Sequence, residues 1–118
     1  MPKAGPITFL QIYRLKNPKK EPEVRALLEA HWPTARKMGL ATEQKPTIWR
    51  ATGKDRSQLT YVELMEWRDE HAVHSAHEIP EVMAIWEPLG GLMKDMEFLV
   101  LEPVNFGKKQ GRTKSRRS

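Results

Sequence analysis

The chain has 118 residues, no cysteine, 39% hydrophobic and 30% charged residues, which fits one domain with a modest core and excludes disulfides and cysteine-based metal sites. No apolar run approaches the ~18 residues of a membrane span, the start MPKAGPITF does not read as a signal peptide, and the lack of cysteine fits a reducing cytoplasm. The net charge of +5 belongs to one end: residues 105–118 hold Lys108, Lys109, Arg112, Lys114, Arg116 and Arg117 and no acid, and the rest is nearly neutral, which argues against a basic nucleic-acid-binding face on the domain itself.

Residues 1–6 form a short leader. Ile7 to Leu15, ITFLQIYRL, is rich in β-branched and aromatic residues and reads as a strand. One of its faces carries Ile7, Phe9, Tyr13 and Leu15, with Gln11 among them; the other carries Leu10 and Ile12. A polar turn follows, and Pro22 is suited to a helix start. Val24, Leu27, Leu28, His31, Trp32 and Ala35 then recur at helical spacing. Pro33 should kink or divide this helix, and Gly39 should end it.

Residues 45–53 and 59–67 read as a hairpin. Asp69 can cap a short helix over residues 70–78, and Pro80 starts another with Val82, Ile85, Trp86, Leu89 and Met93 on one face. Pro88, Gly90 and Gly91 suggest an irregular end. Residues 96–104 form the last strand, and residues 105–118 a disordered basic tail. The order β-α-β-β-α-β predicts a ferredoxin-like α+β domain over residues 7–104, a four-stranded antiparallel sheet with its helices on one face.

In such a fold the second face of the sheet should be polar. Here Leu10, Ile12, Val62, Leu64, Leu99 and Leu101 stand opposite the helix-facing residues. At about 25 cal/mol per Å2, leaving them in water would forgo several kcal/mol. A second copy related by a two-fold axis is the simplest cover, so a homodimer built sheet to sheet is expected.

The runs VELMEW, RDEHAVHSAH and IPEVMAIWEPL then carry a resemblance. They resemble the dimeric α/β-barrel superfamily, and within it the antibiotic-biosynthesis-monooxygenase-like domains, over about residues 7–103. The distinctive pieces are Glu66-Trp67, Ala76-His77 and the run from Pro80 to Trp86. Members of that superfamily include cofactor-independent oxygenases of aromatic polyketides, haem-degrading enzymes, isomerases, decarboxylases, haem peroxidases and proteins of no assigned activity. The resemblance therefore limits the reaction weakly; it implies a small apolar or aromatic ligand between sheet and helices. A haem-degrading member would want a histidine on the last helix as iron ligand; Trp86 stands there instead, so haem ligation is not expected.

Several residues are candidates for a site, each with a structural reading beside the functional one. His71, His74 and His77 look like a metal comb. At about 100° per residue, with Ala72 at zero, they fall near 260°, 200° and 140°, away from the apolar face. No metal is expected, and His77 alone lies near a pocket edge, where bonding to a last-turn carbonyl competes with ligand contact. His31 sits inside an apolar stripe and is either a hydrogen-bonded core histidine or a general base. Trp32 and Trp86 are core residues or walls of an aromatic pocket, with Tyr61 and Trp67. Glu63 lies on an otherwise apolar strand face and needs a partner; a pair with Arg50 is the favoured structural reading, a polar anchor in the cavity the alternative, and Arg14 is a weaker member of this set.

Two functions follow. One is a small-molecule-binding or cofactor-independent monooxygenase-like enzyme, using neither metal nor organic cofactor. In it His31 is the base, Arg50 stabilises developing negative charge, and Tyr61, Glu63, Trp67, His77, Trp86 and Trp32 line the pocket. The other is a non-catalytic dimeric α/β-barrel binding or stress-related module. Nucleic acid is expected only through non-specific contact with the tail.

Overall fold

The computed structural model describes residues 5–54 and 56–106. The tail assignment therefore lies mostly outside the described residues; of the tail, Asn105 and Phe106 are described, and both are exposed. Four strands, β1 (Ile7–Leu15), β2 (Thr47–Thr52), β3 (Leu59–Trp67) and β4 (Met93–Leu101), form one antiparallel sheet in the order β2-β3-β1-β4. Helix α1 (Glu21–Lys37) connects β1 to β2, and the pair α2 (Glu70–Ala76) and α3 (Pro80–Gly91) connects β3 to β4. This is the ferredoxin-like α+β arrangement expected from the element order.

The period-2 signal explains the sheet. Along β1 and β3 every odd-numbered residue is buried and every even-numbered one half-buried, so the helix-facing sides are the sequences Ile7, Phe9, Gln11, Tyr13, Leu15 and Leu59, Tyr61, Glu63, Met65, Trp67. The register opposes Gln11 to Glu63 and Tyr13 to Tyr61. On α1 the stripe buries Val24, Leu28, His31 and Ala35, and α3 buries Val82, Ile85, Trp86 and Leu89. Asp69 caps α2 as expected, accepting from the amides of His71 and Ala72 at 3.0 and 3.1 Å. Gly39, with φ of 77°, ends the turn after α1, a conformation an L side chain adopts only at a cost.

Three local expectations are corrected. Pro33 does not divide α1, which runs unbroken to Lys37. Pro33 faces solvent, so water can satisfy the carbonyl that its missing N–H leaves free. The end of α3, expected to be irregular from Pro88, Gly90 and Gly91, is regular: the helix takes in all three and is capped at Leu92. The last strand runs from Met93 to Leu101 rather than over residues 96–104, and Met93, which the spacing places on the helix, pairs with Leu15 across a register irregularity.

Two apolar clusters fill the space between sheet and helices. One gathers around Phe9, Ala35, Met65, Trp67 and Trp86. The other gathers around Tyr13, Val24, Leu28, Tyr61 and Leu89. On each of β1, β3 and α1 the residue between the two clusters is polar: Gln11, Glu63 and His31.

Candidate functional site

That polar belt is one hydrogen-bonded network. Glu63, with 0% exposure, accepts at Oε1 from Gln11 Nε2 at 2.6 Å, from the Tyr13 hydroxyl at 2.8 Å and from His31 Nδ1 at 3.0 Å. Its Oε2 lies 3.2 Å from the same His31 nitrogen. Gln11 also donates to the Tyr13 oxygen at 2.9 Å. At the two ends stand indoles: Trp67 Nε1 donates to Gln11 Oε1 at 3.0 Å, and Trp86 Nε1 donates to His31 Nε2 at 2.9 Å.

An indole N–H can only donate, so these two bonds set the direction of all the others. Gln11 must turn its oxygen to Trp67 and its amide nitrogen to Glu63. His31 must accept at Nε2, which places its proton on Nδ1, where it is given to Glu63. Every bond points toward Glu63, and the arrangement is that of a carboxylate receiving three donors beside a neutral imidazole. A buried charge of this kind persists only when so surrounded.

The network sits in an aromatic setting. The His31 ring lies 6.0 Å from both Trp67 and Trp86, and Trp86 is edge-to-face with Trp67 at 6.1 Å and with Phe98 at 6.2 Å. The sheet and α1 hold His31 and Glu63 from opposite sides, and α3 brings Trp86 over both.

Burial, followed by the neighbouring Glu63 carboxylate, raises the Tyr13 hydroxyl well above its ordinary value of 10.0. The folded protein therefore keeps this proton at a pH where the unfolded chain has lost it. Stability attached to Tyr13 is complete below that unfolded value and declines as pH rises above it, by up to about 1.4 kcal/mol per unit. Urea unfolding between about pH 9 and 11 should show a steeper decline in the wild type than in Tyr13→Phe, which keeps only the limb of the Tyr61 hydroxyl, itself raised by burial and by Glu21. Parallel pH profiles would mean that Tyr13 is not held as described.

Of the residues picked from sequence, His31, Glu63, Trp67 and Trp86 come together in the network. Arg50 and Tyr61 come together elsewhere. Arg50 shares the sheet face of Glu63, yet the expected ion pair between them is not formed. Arg50 Nε reaches Glu21 at 2.6 Å, and the Tyr61 hydroxyl donates to the same oxygen at 2.5 Å. The reason is register: β3 sets Tyr61, not Glu63, opposite Arg50, and the start of α1 lies above that pair. The two donors, Arg50 first, hold the Glu21 carboxyl below its ordinary 4.5.

His77 is exposed; its Nδ1 lies 3.1 Å from the Val73 carbonyl, while its ring meets the edge of Trp86 at 4.9 Å. His71 and His74 are exposed, as the helical angles require. Trp32 is half-buried and donates to the Thr42 carbonyl at 3.2 Å, outside the network. Arg14 lies on the opposite sheet face and pairs with Asp95 and Glu97, each at 2.7 Å. Among the described residues no cluster of three His, Cys, Asp or Glu side chains is placed to hold a metal ion.

Three residues of these arrangements were not singled out from sequence as site residues: Gln11, Tyr13 and Glu21. Gln11 alone left a signal, as the polar interruption of an apolar strand face.

The fold defines a class. The chain has the ferredoxin-like fold of the antibiotic-biosynthesis-monooxygenase-like proteins. It superposes on a variant of SnoaB, a cofactor-independent oxygenase from Streptomyces nogalater, with a TM-score of 0.63 and 20% identity over 85% of this chain and 94% of that one. Rv0793 from Mycobacterium tuberculosis gives 0.58 and 18%, covering 87% and 99%. A third structure, described as an antibiotic biosynthesis monooxygenase, gives 0.61 and 14%, covering 83% and 98%. At these identities the likeness is one of fold. No family model matches the sequence, and no curated protein does.

Proposed function

We propose that the chain is a homodimeric, cofactor-independent monooxygenase-like enzyme of small aromatic compounds, with His31 as its general base. The observation that carries this reading is the direction of the Glu63–His31–Trp86 chain. Glu63 fixes the Nδ1–H tautomer, which leaves the basic lone pair on Nε2, and a carboxylate behind the ring stabilises the imidazolium formed on taking a proton. The oxygenase activity named for SnoaB supports the same chemistry.

The Trp86 N–H occupies Nε2 now, so a substrate must displace that indole to present its own proton there. An activated C–H flanked by aromatic rings would lose its proton to Nε2, and the resulting carbanion would react with O2 directly. For an anthrone the balance is one substrate and one O2 giving one quinone and one water. The protein's part is the base and a dry aromatic enclosure. Arg50, held by Glu21, takes no part in this reading.

Dimerisation is supported by the open sheet face. Leu10 faces Leu64 on one side and Leu99 on the other, Ile12 faces Val62, and Trp49 lies beside Val62. Trp49 is 48% and Leu99 42% exposed in the single chain. A contiguous apolar sheet face of this kind is what a two-fold partner covers.

A second reading, a non-catalytic binding module of the same fold, is favoured by burial: His31 is 1% exposed and Trp86 packs over it. Oxygen uptake with an anthrone decides between them. The first reading expects turnover above buffer, and a loss of about a hundredfold or more in His31→Gln. No turnover leaves the module, and turnover above buffer that is equal in the variant removes His31 as the base.

A further inference from the structure

A second site lies apart from the buried network. Between α1 and the β2–β3 hairpin runs a cleft of about 460 Å3, lined by Arg25, Leu28, Glu29, Ile48, Arg50 and Tyr61. That volume is in the range of small-molecule pockets. None of its lining residues belongs to the Glu63 network.

The charges of the cleft are unevenly spent. Glu21, at its edge, is engaged by Arg50 through Nε and Nη2 and by the Tyr61 hydroxyl. Arg50 gives Nε and Nη2 to Glu21 and also lies against the Tyr61 hydroxyl, whereas Arg25 makes no side-chain hydrogen bond among the described residues. Arg25 is exposed and stands one helical turn from both Glu21 and Glu29, yet forms an ion pair with neither. Beside these cations Ile48 is 37% exposed, and Leu28 continues the apolar wall to the buried Tyr61 ring. A cleft lined by two guanidinium groups, one of them without a hydrogen bond among the described residues, and by the exposed edge of Ile48 fits an amphipathic anion. Planar guanidinium groups suit a carboxylate, which accepts two parallel N–H bonds.

We propose that this cleft binds a small organic carboxylate, its acid group between Arg25 and Arg50 and its apolar body against Leu28 and Ile48. This site is independent of the proposed reaction: it requires neither turnover nor displacement of Trp86. Glu29 at the rim opposes the anion and makes the sign of the interaction measurable.

The test uses the full chain and two probes of one shape, 2-naphthoate and the uncharged 2-naphthamide. Amide NMR signals are followed during titration of each. Naphthoate should shift the signals of residues 25–29, 48–50 and 61 and bind more tightly than naphthamide, with affinity falling as salt is added. Arg25→Gln, an exposed change that breaks no hydrogen bond or ion pair among the described residues and removes only a charge acting on Glu21 and Tyr61, should weaken naphthoate by roughly fivefold and leave naphthamide unchanged. Glu29→Gln should tighten naphthoate. Equal affinity for the two probes, shifts confined to other residues, no binding, or an Arg25→Gln variant equal to wild type would each overturn the assignment.

Discussion

Glu63→Leu should lose about 3 to 5 kcal/mol of stability, enough to leave a domain of ordinary stability marginal or unfolded. The side chain removed is the common acceptor of Gln11, Tyr13 and His31, all buried. Leucine fills much of the volume but accepts nothing. Three donors then remain inside the core without water, each costing about 1 to 3 kcal/mol before the surroundings relax. Glu63→Gln should cost less, because its carbonyl keeps part of the acceptor role, while its amide opposes the remaining donors. Urea midpoints of the two variants check the order. A loss below about 1 kcal/mol in Glu63→Leu would show that the network is not organised around this carboxylate.

The same reasoning predicts non-additivity. Combining Glu63→Leu with Gln11→Leu, Tyr13→Phe and His31→Leu removes donors along with the acceptor and should recover stability relative to Glu63→Leu alone. A network retained although an apolar core would serve stability as well is a candidate for function, which is why the oxygen-uptake test is aimed at His31.

Leu10→Asp should convert the proposed dimer to a monomer, raising the dissociation constant by about a thousandfold or more. Leu10 lies near the middle of the open sheet face, with Leu64 and Leu99 as its neighbours in register. A two-fold interface repeats every substitution, so two carboxylates would be buried without partners, at about 3 kcal/mol or more each. Within one chain the position is half-buried and turned away from the helices, so the variant should still fold. Sedimentation of both proteins at micromolar concentration provides the check. A wild type that sediments as a monomer there would end the sheet-to-sheet reading.

Much of the fold is legible in the sequence. Alternation in β1 and β3 named their buried faces, the stripe on α1 placed His31 inside, and the order of elements left one topology to expect. The errors arose where a local rule competed with packing. Pro33 and Pro88 would break isolated helices; here α1 and α3 pack against the sheet and against each other, and that burial outweighs one lost backbone bond at each proline. The start of β4 differs because Met93, which the helical spacing assigns to α3, pairs with Leu15 in the sheet instead, so the helix ends before it.

The candidate site was half legible. His31, Glu63, Trp67 and Trp86 stood out as polar or aromatic residues at core positions, which composition and periodicity disclose. Their partners did not stand out. Glu63 is bound by residues 52, 50 and 32 positions away, and Arg50 by one 29 positions away. By itself, then, the sequence determined which faces are buried, because burial follows a repeat read within one segment. Only the tertiary structure decided that Glu63 takes Gln11, Tyr13 and His31 while Arg50 takes Glu21. A hydrogen bond is directional and short, and its partner depends on the register of strands and the placement of helices that no single segment contains.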